Sequence, residues 1–269
     1  MATLSATTDR RALGHRSLAL LERIQRSGRA VVRIDRDRNV FGAALDNAEL
    51  HALKGLAEGG WLRRLERGAY VVAGLGRLET HRQLAIVADW LEGEPYVVTG
   101  FFALAHWNLT GQPPTTVDIL LPRRKANVEY GRTLFRFIYV PEAKLPEARE
   151  VEVVGARASA RIVSPERALA DVLAGRHSAG IDTVSNAFER GLRLRVLRRP
   201  QLARELRKGP TAAARRLGWI AERHHDPLAE QLEPMVGTDG YAALDPGRPA
   251  LNAPRNTRWR LLENARFER

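Results

Sequence analysis

Residues 46–72 read DNAELHALKGLAEGGWLRRLERGAYVV, and the order of signals in this stretch decides the fold of the amino-terminal part. Asp46 stands three residues before Glu49, the spacing of a capping box, so a helix opens there and Gly59-Gly60 closes it. Leu50, Leu53 and Leu56 recur at helical spacing and are expected to pack inward, which puts Asn47, His51, Lys54 and Glu58 on the opposite face. Two apolar, β-prone runs follow, Trp61 to Glu66 and Ala69 to Ala73, joined across Arg67-Gly68 as in a hairpin. A helix followed directly by a hairpin is the order of a winged helix-turn-helix.

Upstream, Leu18, Leu21 and Ile24 predict a helix from Ser17 to about Ser27, stopped by Gly28. Val31, Val32 and Ile34 predict a short strand, Arg36 to Ala44 reads as irregular, and the Thr-rich residues 1–14 read as an arm. Downstream, helices are expected over Glu79 to Leu91 and Thr99 to Leu109. Strands are expected at Val117 to Leu121, Leu134 to Val140, Val151 to Val154 and Ala160 to Val163. Ser164-Pro165-Glu166 opens a further helix, with Ser as the cap and Pro in the first turn, and helices continue to His224. A Gly- and Pro-rich tail closes with a strand around Trp259 to Leu262. The expected class is mixed α/β (α+β): an N-terminal winged helix-turn-helix domain over 1–78, then a larger mixed α/β domain over 79–269. The boundary is placed where the composition changes near Gly74-Leu75-Gly76.

The chain has 269 residues and no cysteine, which excludes disulfides and thiolate metal or redox sites. The first residues are charged where a secretion signal needs an apolar core, so a cytoplasmic protein is expected. The uncharged run from Pro95 to Val117 holds Asn108, Thr110, Gln112 and two prolines in its second half, and reads as a buried helix rather than a membrane span.

The net charge of +12 is unevenly spread: 14 basic residues face 8 acidic ones in 1–78, and 11 face 2 in 190–225. Two concentrated blocks point to a polyanionic partner, because neutralising successive phosphates releases counterions. In the first block the candidate DNA contacts are Asn47, His51 and Lys54 on the helix and Arg63, Arg64 and Arg67 at the hairpin. The second candidate patch comprises Arg193, Arg195, Arg198, Arg199, Arg204, Arg207, Lys208, Arg215 and Arg216, with Arg190 beside it. Arg33, Arg36 and Arg38 alternate with Asp35 and Asp37 and read as local salt bridges.

Signals for catalysis are weak. The chain contains neither a GxxxxGK[ST] phosphate loop nor a GxSxG elbow. His224-His225-Asp226 is a poor metal cluster, since adjacent side chains on a helix diverge by about 100°. An alternative metal-dependent nuclease would combine Asp118 with Glu142 and Lys144, and an alternative RNA-binding module would use the 190–225 block. The residue-level expectation is a protein that is not an enzyme and needs no cofactor or metal.

GGWLRRLERGAYVV (59–72), YVVTGFFALAHWNLTGQPPTTVDILLP (96–122), RIVSPERALADVL (161–173) and ARRLGWIAER (214–223) occur in this order along the chain. Together they resemble the AbiEi-type antitoxins, transcriptional regulators paired with a nucleotidyltransferase-like toxin. The resemblance implies a winged helix that binds inverted repeats in double-stranded promoter DNA and a C-terminal α/β domain for antitoxicity; a homodimer on that DNA is one arrangement that paired half-sites would accept. It also implies DNA contacts from the helix Asp46 to Glu58 and from Arg63, Arg64 and Arg67. Asp35 to Ala44 departs from the pattern, lacking the clean helix expected before a recognition helix.

Overall fold

The computed structural model describes residues 13–42, 45–72, 80–175 and 179–265, which form two compact units. The first contains the chain up to residue 95 together with 128–131 and 150–161, and the second contains the rest. Most of the expected arm and the Gly74-Leu75-Gly76 boundary lie outside the described residues.

The first unit begins with α1 (His15–Arg26), β1 (Val31–Arg33), α2 (Arg38–Phe41), α3 (Asn47–Glu58), β2 (Leu62–Glu66), β3 (Ala69–Val72) and α4 (Thr80–Trp90). The strands make an antiparallel sheet in the order β1-β3-β2. Leu20, Leu21 and Ile24 of α1 pack with Leu53 and Leu56 of α3, with Val40 and Phe41, and with Leu62 and Val72 of the hairpin.

Two details correct the sequence expectations. Leu50, expected to pack inward, and Leu18, part of the apolar repeat that predicts the first helix, are each 45% exposed, and Leu20 and Ala52 are buried on those helices. The segment read as irregular contains one helical turn, α2, whose Val40 and Phe41 enter the core. A single turn is too short to show a 3.6-residue repeat. Asp37, 4% exposed, stabilises this bend by accepting from the Arg33 amide at 2.6 Å and pairing with Arg29 at 2.9 Å.

α4 is bound to the sheet through Asp89. Its buried carboxylate accepts from the amides of Ala30 at 2.6 Å, Arg157 at 3.0 Å and Ala158 at 3.1 Å. Burial raises its pKa, and those amides together with the charge of Arg29 oppose the rise.

The chain continues through β4 (Val97–Thr99), α5 (Gly100–His106), β5 (Thr116–Leu121), β6 (Val128–Tyr130, grouped with the first unit), β7 (Thr133–Tyr139), β8 (Ala148–Val151) and β9 (Ala160–Val163). In the second unit β4 lies between β5, antiparallel to it, and β9, parallel to it, and β7 runs parallel to β5. The strand expected at Val151 to Val154 forms earlier, as β8.

The helices α6 (Pro165–Leu173), α7 (Ile181–Arg193), α8 (Arg199–Arg207), α9 (Thr211–Arg223) and α10 (Leu228–Leu232) follow. The Ser164 hydroxyl caps α6 by accepting from the Arg167 amide at 3.2 Å. β10 (Ala242–Ala243), β11 (Arg255–Asn256) and β12 (Leu261–Leu262) form a small sheet in the order β10-β12-β11. Helices and mixed sheets give the α/β class expected from the sequence. Among the described residues no helix is long and apolar enough to cross a membrane.

Candidate nucleic-acid interface

Asp46 caps α3, its carboxylate accepting from the Glu49 amide at 2.7 Å. Glu49 does not return the bond as a capping box would; it pairs with Arg23 of α1 at 2.5 Å and so fastens the two helices. This leaves an exposed face comprising Asn47, Leu50, His51 and Lys54, with Lys54 at 3.7 Å from Glu58. An amide, an imidazole and an ammonium group, side-chain types able to pair with base edges or phosphates, thus surround one apolar side chain.

β2 and β3 turn through Gly68, whose φ of 78° suits a residue without Cβ. A bulge at Leu65 breaks the alternation of β2. Arg64 is registered with Tyr70, which packs on the α1/α3 core, so Arg64 lies on the side of the sheet nearest α3. Arg63 is registered with Val71 on the other side, and its guanidinium stands 5.0 Å from the centre of the Tyr130 ring.

Arg64 and Arg67 line a shallow groove with Arg33, Asp35 and Tyr70. Arg33 is committed there to Asp35 at 3.0 Å and Glu66 at 3.3 Å. Arg64 donates to the Glu66 carbonyl at 3.2 Å, and neither Arg64 nor Arg67 pairs with a carboxylate among the described residues. The structure therefore brings Arg64 and Arg67 together and separates Arg63 from them. Leu50 and Tyr70 were missed as part of this surface, because an apolar residue at helical or strand spacing reads as core.

The second basic block does not form one surface. Arg215 and Arg216 are 5% and 6% exposed, which corrects their assignment to a patch. Arg215 donates to the carbonyls of Val236, Asp239 and Gly240 at 2.7, 2.6 and 3.0 Å, and Arg216 donates to those of Leu173 and Ala243. Burial lowers both pKa values below the usual arginine range. Arg199 forms a two-nitrogen pair with Asp226, the shortest bond being 2.6 Å. Lys208 pairs with Glu205 at 2.6 Å, and Arg190 donates to the Asn108 carbonyl. Arg193, Arg195, Arg198, Arg204 and Arg207 remain exposed.

Of the residues of the alternative nuclease site, the strand carboxylate is already engaged by a cation. Asp118 pairs with Arg136, its neighbour in register across β5 and β7, at 2.5 Å, and Glu142 and Lys144 lie in a 3-10 turn. His224 contacts the Ser185 hydroxyl at 2.8 Å, and no cluster of three or more His, Asp or Glu able to hold a metal occurs among the described residues.

No model of a known protein family matches the chain, and no curated protein matches it. The fold is similar to that in the crystal structure of RV2827C protein from Mycobacterium tuberculosis. The TM-score is 0.65 at 14% identity, over 94% of this chain and 92% of that one.

Proposed function

We propose that the chain is a promoter-binding transcriptional regulator whose first unit is a winged helix, with α3 entering the major groove of duplex DNA and the β2–β3 hairpin acting as the wing. The observation that carries this reading is the exposed face Asn47-Leu50-His51-Lys54 on a helix followed by a hairpin whose Arg64 and Arg67 line one shallow groove. The order helix, strand, short helix, helix and hairpin supports it, since α2 supplies the turn before a recognition helix. In this reading Asn47 hydrogen-bonds a base, Leu50 packs on a thymine methyl, and Lys54, Arg64 and Arg67 hold phosphates.

The fuller proposal is a cytoplasmic, non-enzymatic repressor of its own operon, binding inverted repeats as a homodimer and acting as antitoxin to a nucleotidyltransferase-like toxin. Its support is the four-motif resemblance to AbiEi-type antitoxins. Fluorescence anisotropy of the full-length chain on the duplex upstream of its own gene, against a scrambled duplex, tests the DNA part. Asn47→Ala with His51→Ala is expected to reduce the preference for the upstream duplex by about tenfold or more, from a discrimination of about 1–3 kcal/mol per base contact. Equal binding to both duplexes by the unaltered chain would overturn it. Co-expression with the neighbouring gene product tests antitoxicity by growth rescue, and growth arrest with no rescue would overturn that part.

A further inference from the structure

We propose that the cleft of the second unit bounded by residues 143–149, the start of α6 and α8 binds a small polyphosphate-bearing anion of nucleoside-triphosphate size. The cleft has a volume of about 430 Å³ and takes its lining from three separate stretches of chain. That volume lies in the range of small-ligand sites, roughly 300–1,000 Å³. Five cationic side chains line it, Lys144, Arg149, Arg167, Arg204 and Lys208, against the carboxylates of Glu147, Glu166 and Glu205.

Two of those carboxylates are already engaged. Glu205 takes Lys208 at 2.6 Å and Arg167 at 3.5 Å, and Arg167 also holds Asp171 at 2.8 Å. Glu166, 2% exposed, accepts from the Arg198 amide at 3.1 Å. Lys144, Arg149 and Arg204 form no ion pair among the described residues and all three are exposed, while the five cations and three carboxylates of the lining leave it a net charge of +2. Among the described residues the side chains of Lys144 and Arg204 have no hydrogen bond or ion pair. Arg149 is steadied by Trp107, whose ring centre is 5.5 Å from the guanidinium, and so needs little ordering when it meets a ligand.

Three like charges converging on one concave site repel each other, and a ligand with several negative charges relieves that repulsion. A single carboxylate would neutralise only one of them. Guanidinium groups present paired N–H donors that match phosphate oxygens, and an ammonium supplies a compact point charge. A local, concave cluster suits a compact anion better than it suits a long nucleic-acid backbone, which a stripe of charge would follow.

Isothermal titration calorimetry on the full-length chain tests the proposal, with ATP, inorganic tripolyphosphate and a single-stranded oligonucleotide as separate titrants. Saturable binding of ATP or tripolyphosphate is expected, weakened at least about tenfold by Lys144→Ala with Arg204→Ala, the scale for losing two charge-assisted contacts. Arg193→Ala with Arg195→Ala removes two exposed charges outside the cleft and should leave that binding unchanged. Thermal melts of both variants are expected to match the unaltered chain, since the cleft pair has no partners to lose. Three results would each overturn the proposal: no saturable binding of ATP or tripolyphosphate, equal weakening by both double variants, or binding of the oligonucleotide alone.

Discussion

Arg63 and Arg64 are adjacent on β2 and serve different ends, because consecutive residues of a strand point to opposite sides of the sheet. Arg64→Ala with Arg67→Ala is expected to weaken duplex binding by about tenfold or more, whereas Arg63→Ala should change it less than about twofold. The cost of losing the Tyr130 contact should show as a stability loss of about 0.5–1 kcal/mol. Anisotropy and urea unfolding measure the two effects, and equal loss of binding from Arg63→Ala would refute the division. Arg216 lies at the other extreme, a cation used wholly inside the fold. Arg216→Met leaves the Leu173 and Ala243 carbonyls without their donor, at about 1–3 kcal/mol for each group that stays dry. Urea unfolding reads that loss.

Asp226 gives the residue scale its pH signature. Burial opposes its ionisation, but the hydrogen bond from Arg199, the Leu228 amide and the charges of Arg199 and His224 outweigh it and lower its pKa below 3.8. A carboxylate with a lowered folded pKa adds stability above its unfolded value, and that stability is lost as the pH falls through the folded one. The melting-temperature gap between the unaltered chain and Asp226→Asn should therefore be widest near neutrality and close as the pH falls below about 4. A gap that stays constant over that range would place the effect in packing rather than charge.

At the scale of elements, caps and glycines made α3, α6 and the hairpin legible, because a helix end leaves backbone donors that only a few side chains can satisfy. Asp46→Ala should cost about 1 kcal/mol in thermal or urea unfolding, and should weaken DNA binding further by fraying the turn that holds Asn47. Periodicity was less informative about which residue of an apolar stripe is buried. Leu18 and Leu50 fit the repeat but lie at the stripe's edge, where the neighbouring Leu20 and Ala52 fill the contact instead. The three hairpin arginines could not be sorted without knowing where the bulge falls in β2. Arg215 and Arg216 were beyond reach for another reason. Their partners at Val236 to Gly240 and Ala243 lie more than twenty residues downstream and are backbone carbonyls, which leave no mark in side-chain sequence.

For the whole molecule, the net charge of +12 overstates the cations free to meet a polyanion. Arg215 and Arg216 are buried on carbonyls, Arg199 and Lys208 are paired with carboxylates, and Arg190 is bound to Asn108. The proposed α3 and wing surface offers Lys54, Arg64 and Arg67 for phosphates. Each phosphate neutralised contributes about −0.9 to the slope of log affinity against log salt, so three contacts give a slope near −3 per protomer and near −5 for two protomers on an inverted repeat. Arg193, Arg195 and Arg207 remain exposed in the second unit and could add to that slope only by touching the same duplex. We expect that they do not, and that Arg193→Gln, Arg195→Gln and Arg207→Gln together leave the slope within about one unit of the unaltered chain. Anisotropy titrations across a range of potassium chloride concentrations measure it. A fall in steepness of two units or more on the triple substitution would assign phosphate contacts to the second unit as well.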